Sequence, residues 1–111
     1  MEINTKEFKH CDMAIVKGRV DSATAPQFGK ALETIIDRGV YKIVVDMSGL
    51  EYMSSAGFRA LLATQRSCKR YNRGEVVLAS VPERIREALE LAGFTELFKL
   101  YGDPLEAVGS L

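Results

Sequence analysis

Two adjacent serines, Ser54 and Ser55, followed by Ala56 and Gly57, are the residues whose types and setting are best suited to chemistry. Upstream lies an apolar run, Ile43-Val44-Val45, which reads as a buried strand. Downstream, Phe58, Leu61, Leu62 and Gln65 fall on one face of a helix. The serines therefore sit where a strand-to-loop passage becomes a helix N-terminus. Such a place offers unpaired backbone N–H groups and a partial positive charge, and it suits a hydroxyl or a phosphate. The stretch from Asp46 to Gly57 is the candidate site.

Other chemistries find no support. The chain contains neither G-x-x-x-x-G-K-[ST] nor G-x-G-x-x-G, so it has no recognisable phosphate cradle of its own. It has no G-x-S-x-G elbow. The single histidine, His10, falls in an expected hairpin turn, and a nucleophilic serine normally needs a base within reach. A serine hydrolase built on Ser55 is thus the weaker alternative, as is direct nucleotide binding by the serine loop. No cluster of Cys, His and carboxylates suggests a metal, and no cofactor is expected. Asp46 and Glu51 make no acid/base pair; Asp46 is expected to end a strand and to accept hydrogen bonds from loop amides. These observations point to a binding module and away from an enzyme.

At 111 residues, 47% hydrophobic and 27% charged, the chain has the makings of one globular domain, residues 1–111. Fifteen basic and fifteen acidic residues cancel, so no overall field favours nucleic acid or a membrane. Glu2, Lys6, Glu7, Lys9 and Asp12 leave no apolar signal region near the start, and no run suits a membrane span. A cytoplasmic location is expected. Cys11 and Cys68 read as reduced, partly buried thiols. Charge is nonetheless unevenly placed. Between Tyr52 and Gly74 there is no acidic residue, whereas Arg59, Arg66, Lys69, Arg70 and Arg73 are basic. Arg59, Arg66, Arg70 and Arg73, spaced by seven, four and three, are expected on one helical face. That face is either plain solvated surface or a dock for an acidic patch on a partner protein.

The elements that must position the serines follow from periodicity and turn chemistry. Residues 3–9 and 13–19 read as strands around a His10-Cys11-Asp12 turn, with Gly18 at a bulge or a close backbone approach. Asp21 to Pro26 is a helix start with Ser22 or Thr24 as cap. Phe28, Ala31, Leu32, Ile35 and Ile36 form its apolar stripe, and Gly39 ends it. A third strand is expected over 41–46, a second helix over 55–71 and a fourth strand over 75–79. Ser80-Val81-Pro82-Glu83 matches a capping box before a third helix carrying Ile85, Ala88, Leu89 and Ala92. Residues 97–100 form a short last strand and 104–108 a terminal helical turn. The order β-β-α-β-α-β-α-β-α predicts an α/β fold: a mixed, mostly parallel sheet of four to five strands packed against about four helices.

The run Asp46-Met47-Ser48-Gly49-Leu50-Glu51-Tyr52-Met53-Ser54-Ser55-Ala56-Gly57 resembles the signature of the STAS domain, above all that of the stand-alone anti-sigma factor antagonists of bacteria, roughly D-[LM]-S-x-[LV]-x-[FY]-M-D-S-[ST/A]-G. Gly18-Arg19-Val20-Asp21 resembles the family's G-x-[LI]-D. Gly74-Glu75-Val76-Val77-Leu78 is similar to its G-G-x-[LV]-x-[LV] strand, and Phe94-Thr95-Glu96-Leu97-Phe98 to its last-strand approach. The resemblance implies a switch. Ser55 aligns with a serine that is phosphorylated by an anti-sigma factor, which is itself a serine kinase and supplies the ATP. The unphosphorylated form binds that anti-sigma factor and frees the sigma factor for transcription; a phosphatase resets the cycle. The implied docking surface takes Asp21, Ser22 and Thr24 from one loop and Ser54, Ser55, Ala56, Gly57, Phe58 and Arg59 from the other. Many members carry Asp before the acceptor where this chain has Ser54, which makes Ser54 the second candidate. A non-phosphorylated STAS module of another assembly, lipid-transport or stressosome-like, is the alternative.

Overall fold

The computed structural model describes residues 1–111. Five strands line up in chain order: β1 (Glu2–Glu7), β2 (Asp12–Val20), β3 (Ile43–Met53), β4 (Val76–Ala79) and β5 (Lys99–Tyr101). β1 and β2 are antiparallel; every later pairing is parallel. The helices are α1 (Ala25–Asp37), α2 (Ser55–Lys69), α3 (Glu83–Leu91) and α4 (Pro104–Ser110), with a 3₁₀ turn over Arg70–Asn72. The expected mixed, mostly parallel sheet with four helices is what the chain adopts.

Each parallel crossover steps one strand in the same direction. Right-handed connections then place α1, α2 and α3 on one face of the sheet. Their apolar sides, Phe28, Leu32 and Ile35 of α1, Leu61 and Cys68 of α2, Ile85 and Leu89 of α3, close the main core over Val16, Val45, Met47 and Leu78. The other face has only α4, whose Ala107 covers Met13, Val44, Val77 and Ala79. Within the main core Gln65 is buried, and its amide is fully engaged. Nε2 donates to the carbonyls of Val76 and Leu97, and Oε1 accepts from the Val76 amide. One side chain thus ties α2 to β4 and to the approach to β5. Cys11 and Cys68 are free and buried; burial raises both thiols, Cys68 to about 11.

Several expectations are corrected. β3 does not stop at Asp46 but runs on to Met53, pairing with β2 alone beyond that point, because β4 ends opposite Asp46. Two register shifts in β2, around Val16 and between Gly18 and Arg19, make the inward residues of β3 there Met47, Leu50 and Met53. That spacing of three hides the strand from a period-two reading. Gly18, at φ +84°, supplies the second irregularity, which a side chain would resist. Asp46 is therefore mid-strand and buried, although its Oδ1 does accept from the Ser48 amide at 3.0 Å. α2 ends at Lys69, two residues early, with Tyr71 and Asn72 both left-handed (φ 60° and 56°). Pro82, not Ser80, precedes α3; Ser80 instead donates its hydroxyl to the Gly102 carbonyl. Ala92 is exposed rather than inward-facing.

Candidate functional site

The C-terminal ends of β2 and β3 lie side by side. Val20 pairs with Met53, and the Ser54 amide donates to the Val20 carbonyl at 2.7 Å. The loop that follows β2 and the serine turn that follows β3 therefore share one edge of the sheet. This is the general position at which parallel sheets build sites.

Ser54 and Ser55 have different tasks. Ser54 is the N-cap of α2, and its hydroxyl accepts from the Gly57 amide at 3.3 Å. Ser55 occupies the first helical position and is exposed, with no side-chain hydrogen bond in the molecule. The helix start is held close to the sheet by Gly57: a Cβ there would meet Met53 Cγ at 2.7 Å and Val20 Cγ1 at 2.9 Å. Phe58 is also buried and packs edge-to-face on Phe94, ring centroids 6.1 Å apart. Gly57 and Phe58, expected among the docking residues, thus shape the surface from beneath and are not presented on it.

The neighbouring loop is built by Asp21. Its Oδ1 accepts from the amides of Ala23 and Thr24, each at 3.0 Å. These bonds, the Thr24 backbone N–H first and the Thr24 hydroxyl second, hold the Asp21 carboxyl below the usual carboxylate range. Thr24 stands at the N-cap of α1 but makes no capping bond; its hydroxyl lies 3.0 Å from the Arg19 carbonyl and accepts from the Asp21 amide. Thr24 is thereby engaged within its own turn. Ser22 is free and exposed, and with Ala56 and Arg59 it lines a groove of about 800 Å³ between α1 and α2.

Two residues near this edge escaped sequence reasoning as a pair. Arg19 lies over the ring of the exposed Tyr52, 4.6 Å from its centroid, on the adjacent strand. Both stood within quoted motifs, but only the strand register brings them together. The basic face is also revised. Arg59 and Arg66 are exposed on α2, whereas the turn after Lys69 carries Arg73 off that helix and onto Tyr41. His10 lies in the turn between β1 and β2, at the opposite end of β2 from Val20, so it cannot serve Ser55 as a base. No group of three or more His, Cys, Asp or Glu side chains is gathered to hold a metal ion. No helix is long and apolar enough to cross a membrane.

This combination of a sequentially ordered sheet, helices on one face and a serine turn at the strand ends defines a class. The sequence matches the STAS domain over residues 2–107, and the chain belongs to that family. A candidate anti-sigma factor antagonist of Bordetella bronchiseptica, BtrV, is 35% identical over 86 residues, 78% of this chain and 73% of that protein. The crystal structure of an anti-sigma factor antagonist from Mycobacterium paratuberculosis superposes with a TM-score of 0.85 at 23% identity, covering 98% of this chain and 92% of that one. SpoIIAA, a Bacillus cell fate determinant, is similar in its unphosphorylated form (TM-score 0.76, 18% identity, 98% and 96% covered) and in its phosphorylated form (0.77, 17%, 98% and 98%). At such identities the structural likeness speaks for the fold.

Proposed function

We propose that this protein is an anti-sigma factor antagonist: in its unphosphorylated state it binds an anti-sigma factor, releasing a sigma factor for transcription, and phosphorylation of Ser55 ends that binding. The observation that carries this reading is the division of labour at α2. Ser54 caps the helix while the Ser55 hydroxyl is exposed and unengaged. The partner is a serine kinase that brings its own ATP, and a phosphatase restores the hydroxyl. SpoIIAA, with the same fold, exists in both forms. The protein itself acts by binding and not by catalysis, in the cytoplasm.

The physics favours a switch without unfolding. A phosphoserine adds about −1.5 to −2 charges at pH 7, and a helix N-terminus favours negative charge by about 0.3–2 kcal/mol. The domain tolerates the group. A partner surface fitted to a neutral hydroxyl does not: one like-charge contact at about 4 Å costs on the order of 4 kcal/mol at an effective dielectric of 20. The docking surface combines Asp21, Ser22, Ser55, Ala56 and Arg59 around the α1–α2 groove. Incubation with the cognate kinase and ATP, followed by mass spectrometry and a pull-down, tests the proposal. Phosphate on Ser55 and loss of the complex are expected; unchanged binding after stoichiometric phosphorylation refutes it. The groove also suits a second reading, a STAS module that docks through α1 and α2 without phosphorylation; complete absence of phosphate on Ser54 and Ser55 would favour it.

A further inference from the structure

At the opposite end of β3 the surface has another character. Tyr41 and Lys42 precede β3, Lys9 and His10 turn from β1 into β2, and Arg73 precedes β4. Arg73 lies over two rings, 4.9 Å from the centroid of Tyr41 and 5.4 Å from that of Tyr71, and its Nη1 donates to the Tyr41 hydroxyl at 2.8 Å. Arg70 lies over Tyr71 as well, at 5.7 Å. Tyr71 is 76% exposed and is aimed outward by the left-handed pair Tyr71-Asn72, a backbone region that side-chain-bearing residues adopt at a cost. Gly74 lets the chain press against the Tyr41 carbonyl, where a Cβ would collide. Depressions of about 350 and 460 Å³ adjoin at Lys42.

Lys9, Lys42, Lys69, Arg70 and Arg73 take part in none of the ion pairs. The side-chain carboxylates lining the depressions are already engaged. Asp12 is paired with Arg38 at 2.9 Å, off the direction of a proper hydrogen bond, and Glu75 is paired with Lys99 at 3.1 Å. Glu7 shares the same Arg38, so two carboxylates meet one guanidinium there, and the five unpaired cations leave this pole with a net positive excess. The rings serve recognition: a guanidinium placed over them, with one N–H already given to a hydroxyl, has less freedom to lose on binding, and its remaining N–H groups can meet a carboxylate. With fifteen basic and fifteen acidic residues in the chain, no wider field extends the patch into the track that a phosphate backbone follows.

We infer that the Tyr41–Arg73–Tyr71–Arg70 cluster is a second docking surface, for an acidic segment of a partner protein, able to be occupied while the serine edge is engaged. Backbone amide shifts of the ¹⁵N-labelled full chain on titration with a ten-residue Asp/Glu peptide test it, with no kinase involved. Shifts are expected at Tyr41, Lys42, Tyr71 and Arg73, with a tenfold or greater loss of affinity for Arg70→Glu/Arg73→Glu and no change for Arg59→Glu/Arg66→Glu or Ser55→Ala. Tyr71→Gly relieves the left-handed strain, so it is expected to fold at least as stably while binding the peptide several-fold more weakly. Shifts confined to α2, equal loss for the Arg59/Arg66 variant, Tyr71→Gly that binds normally, or tighter binding of a ten-nucleotide single-stranded DNA at the same pole would each overturn the inference. Because Ser55 takes no part in this measurement, its outcome is independent of the phosphorylation switch.

Discussion

The two ends of β3 present opposite solutions to exposing polar groups. At the Met53 end, polar side chains serve the backbone: Asp21 accepts two loop amides, Thr24 is locked into the same turn and Ser54 caps α2. The hydroxyls of Ser22 and Ser55 are left over, and that of Ser55 alone stands at the start of α2, in a place that is positively polarised. At the Ile43 end, arginines are held over aromatic rings, and the unpaired cations outnumber the one carboxylate left over where Glu7 and Asp12 share Arg38. A site where a neutral hydroxyl stands beside charges already held in place registers a new phosphate strongly, whereas a standing patch of cations does not. The first arrangement suits a switch and the second suits a constant tether. The paired strand between them lets each be occupied without rebuilding the other.

The comparison can be broken most forcefully at Ser55. Ser55→Asp is expected to weaken binding of the anti-sigma factor by about a thousandfold, the equivalent of roughly 4 kcal/mol, while Ser55→Ala binds constitutively; calorimetric titration of both variants decides. Next comes Gly57→Ala, whose Cβ would lie under 3 Å from Met53 and Val20. It should cost about 1–3 kcal/mol in a urea melt through overpacking and displace the helix start. Ser54→Ala removes the cap alone, so a loss of about 1 kcal/mol is expected. Phosphate transfer to Ser55, followed by mass spectrometry, should persist in that variant; its abolition would hand the acceptor role to Ser54.

The smallest effect belongs to Asp21. Its carboxyl is held below the usual 3.8 in the folded state, so the stabilisation is present above that pH and is lost as pH falls through the lower folded value. Asp21→Asn should therefore unfold at lower urea than the wild type at pH 7. The gap should narrow below about pH 4. A gap that widens in acid would show that the hydrogen bonds of Asp21 do not favour its charged form.

Legibility in the sequence followed the range of the interactions. The apolar runs of β2 to β4 and the stripe of α1 announced themselves because burial on a sheet or helix repeats every two or 3.6 residues. The serine turn was recognisable because a strand, two serines, a glycine and an apolar helix face are all local. The end of β3 was not, because its last residues pair with a strand carrying two register shifts, and Met47, Leu50 and Met53 turn inward every third residue instead of every second. Ser80 matched a capping box by spacing, yet its left-handed backbone and the nearby Gly102 carbonyl drew its hydroxyl elsewhere.

By itself, then, the sequence determined the order of elements, the α/β class and the pair of hydroxyls at a helix start, since each depends on neighbours a few residues away. Tertiary structure alone decided which hydroxyl is free. It also set Arg19 over Tyr52 and moved Arg73 from the basic face of α2 to a pocket of rings at the far pole. Those outcomes depend on strand register and on how a helix exit meets a distant strand, and such contacts join residues some thirty positions apart, as between Tyr41 and Arg73. No local period encodes them; they are fixed only when the sheet closes and every buried group must find a partner.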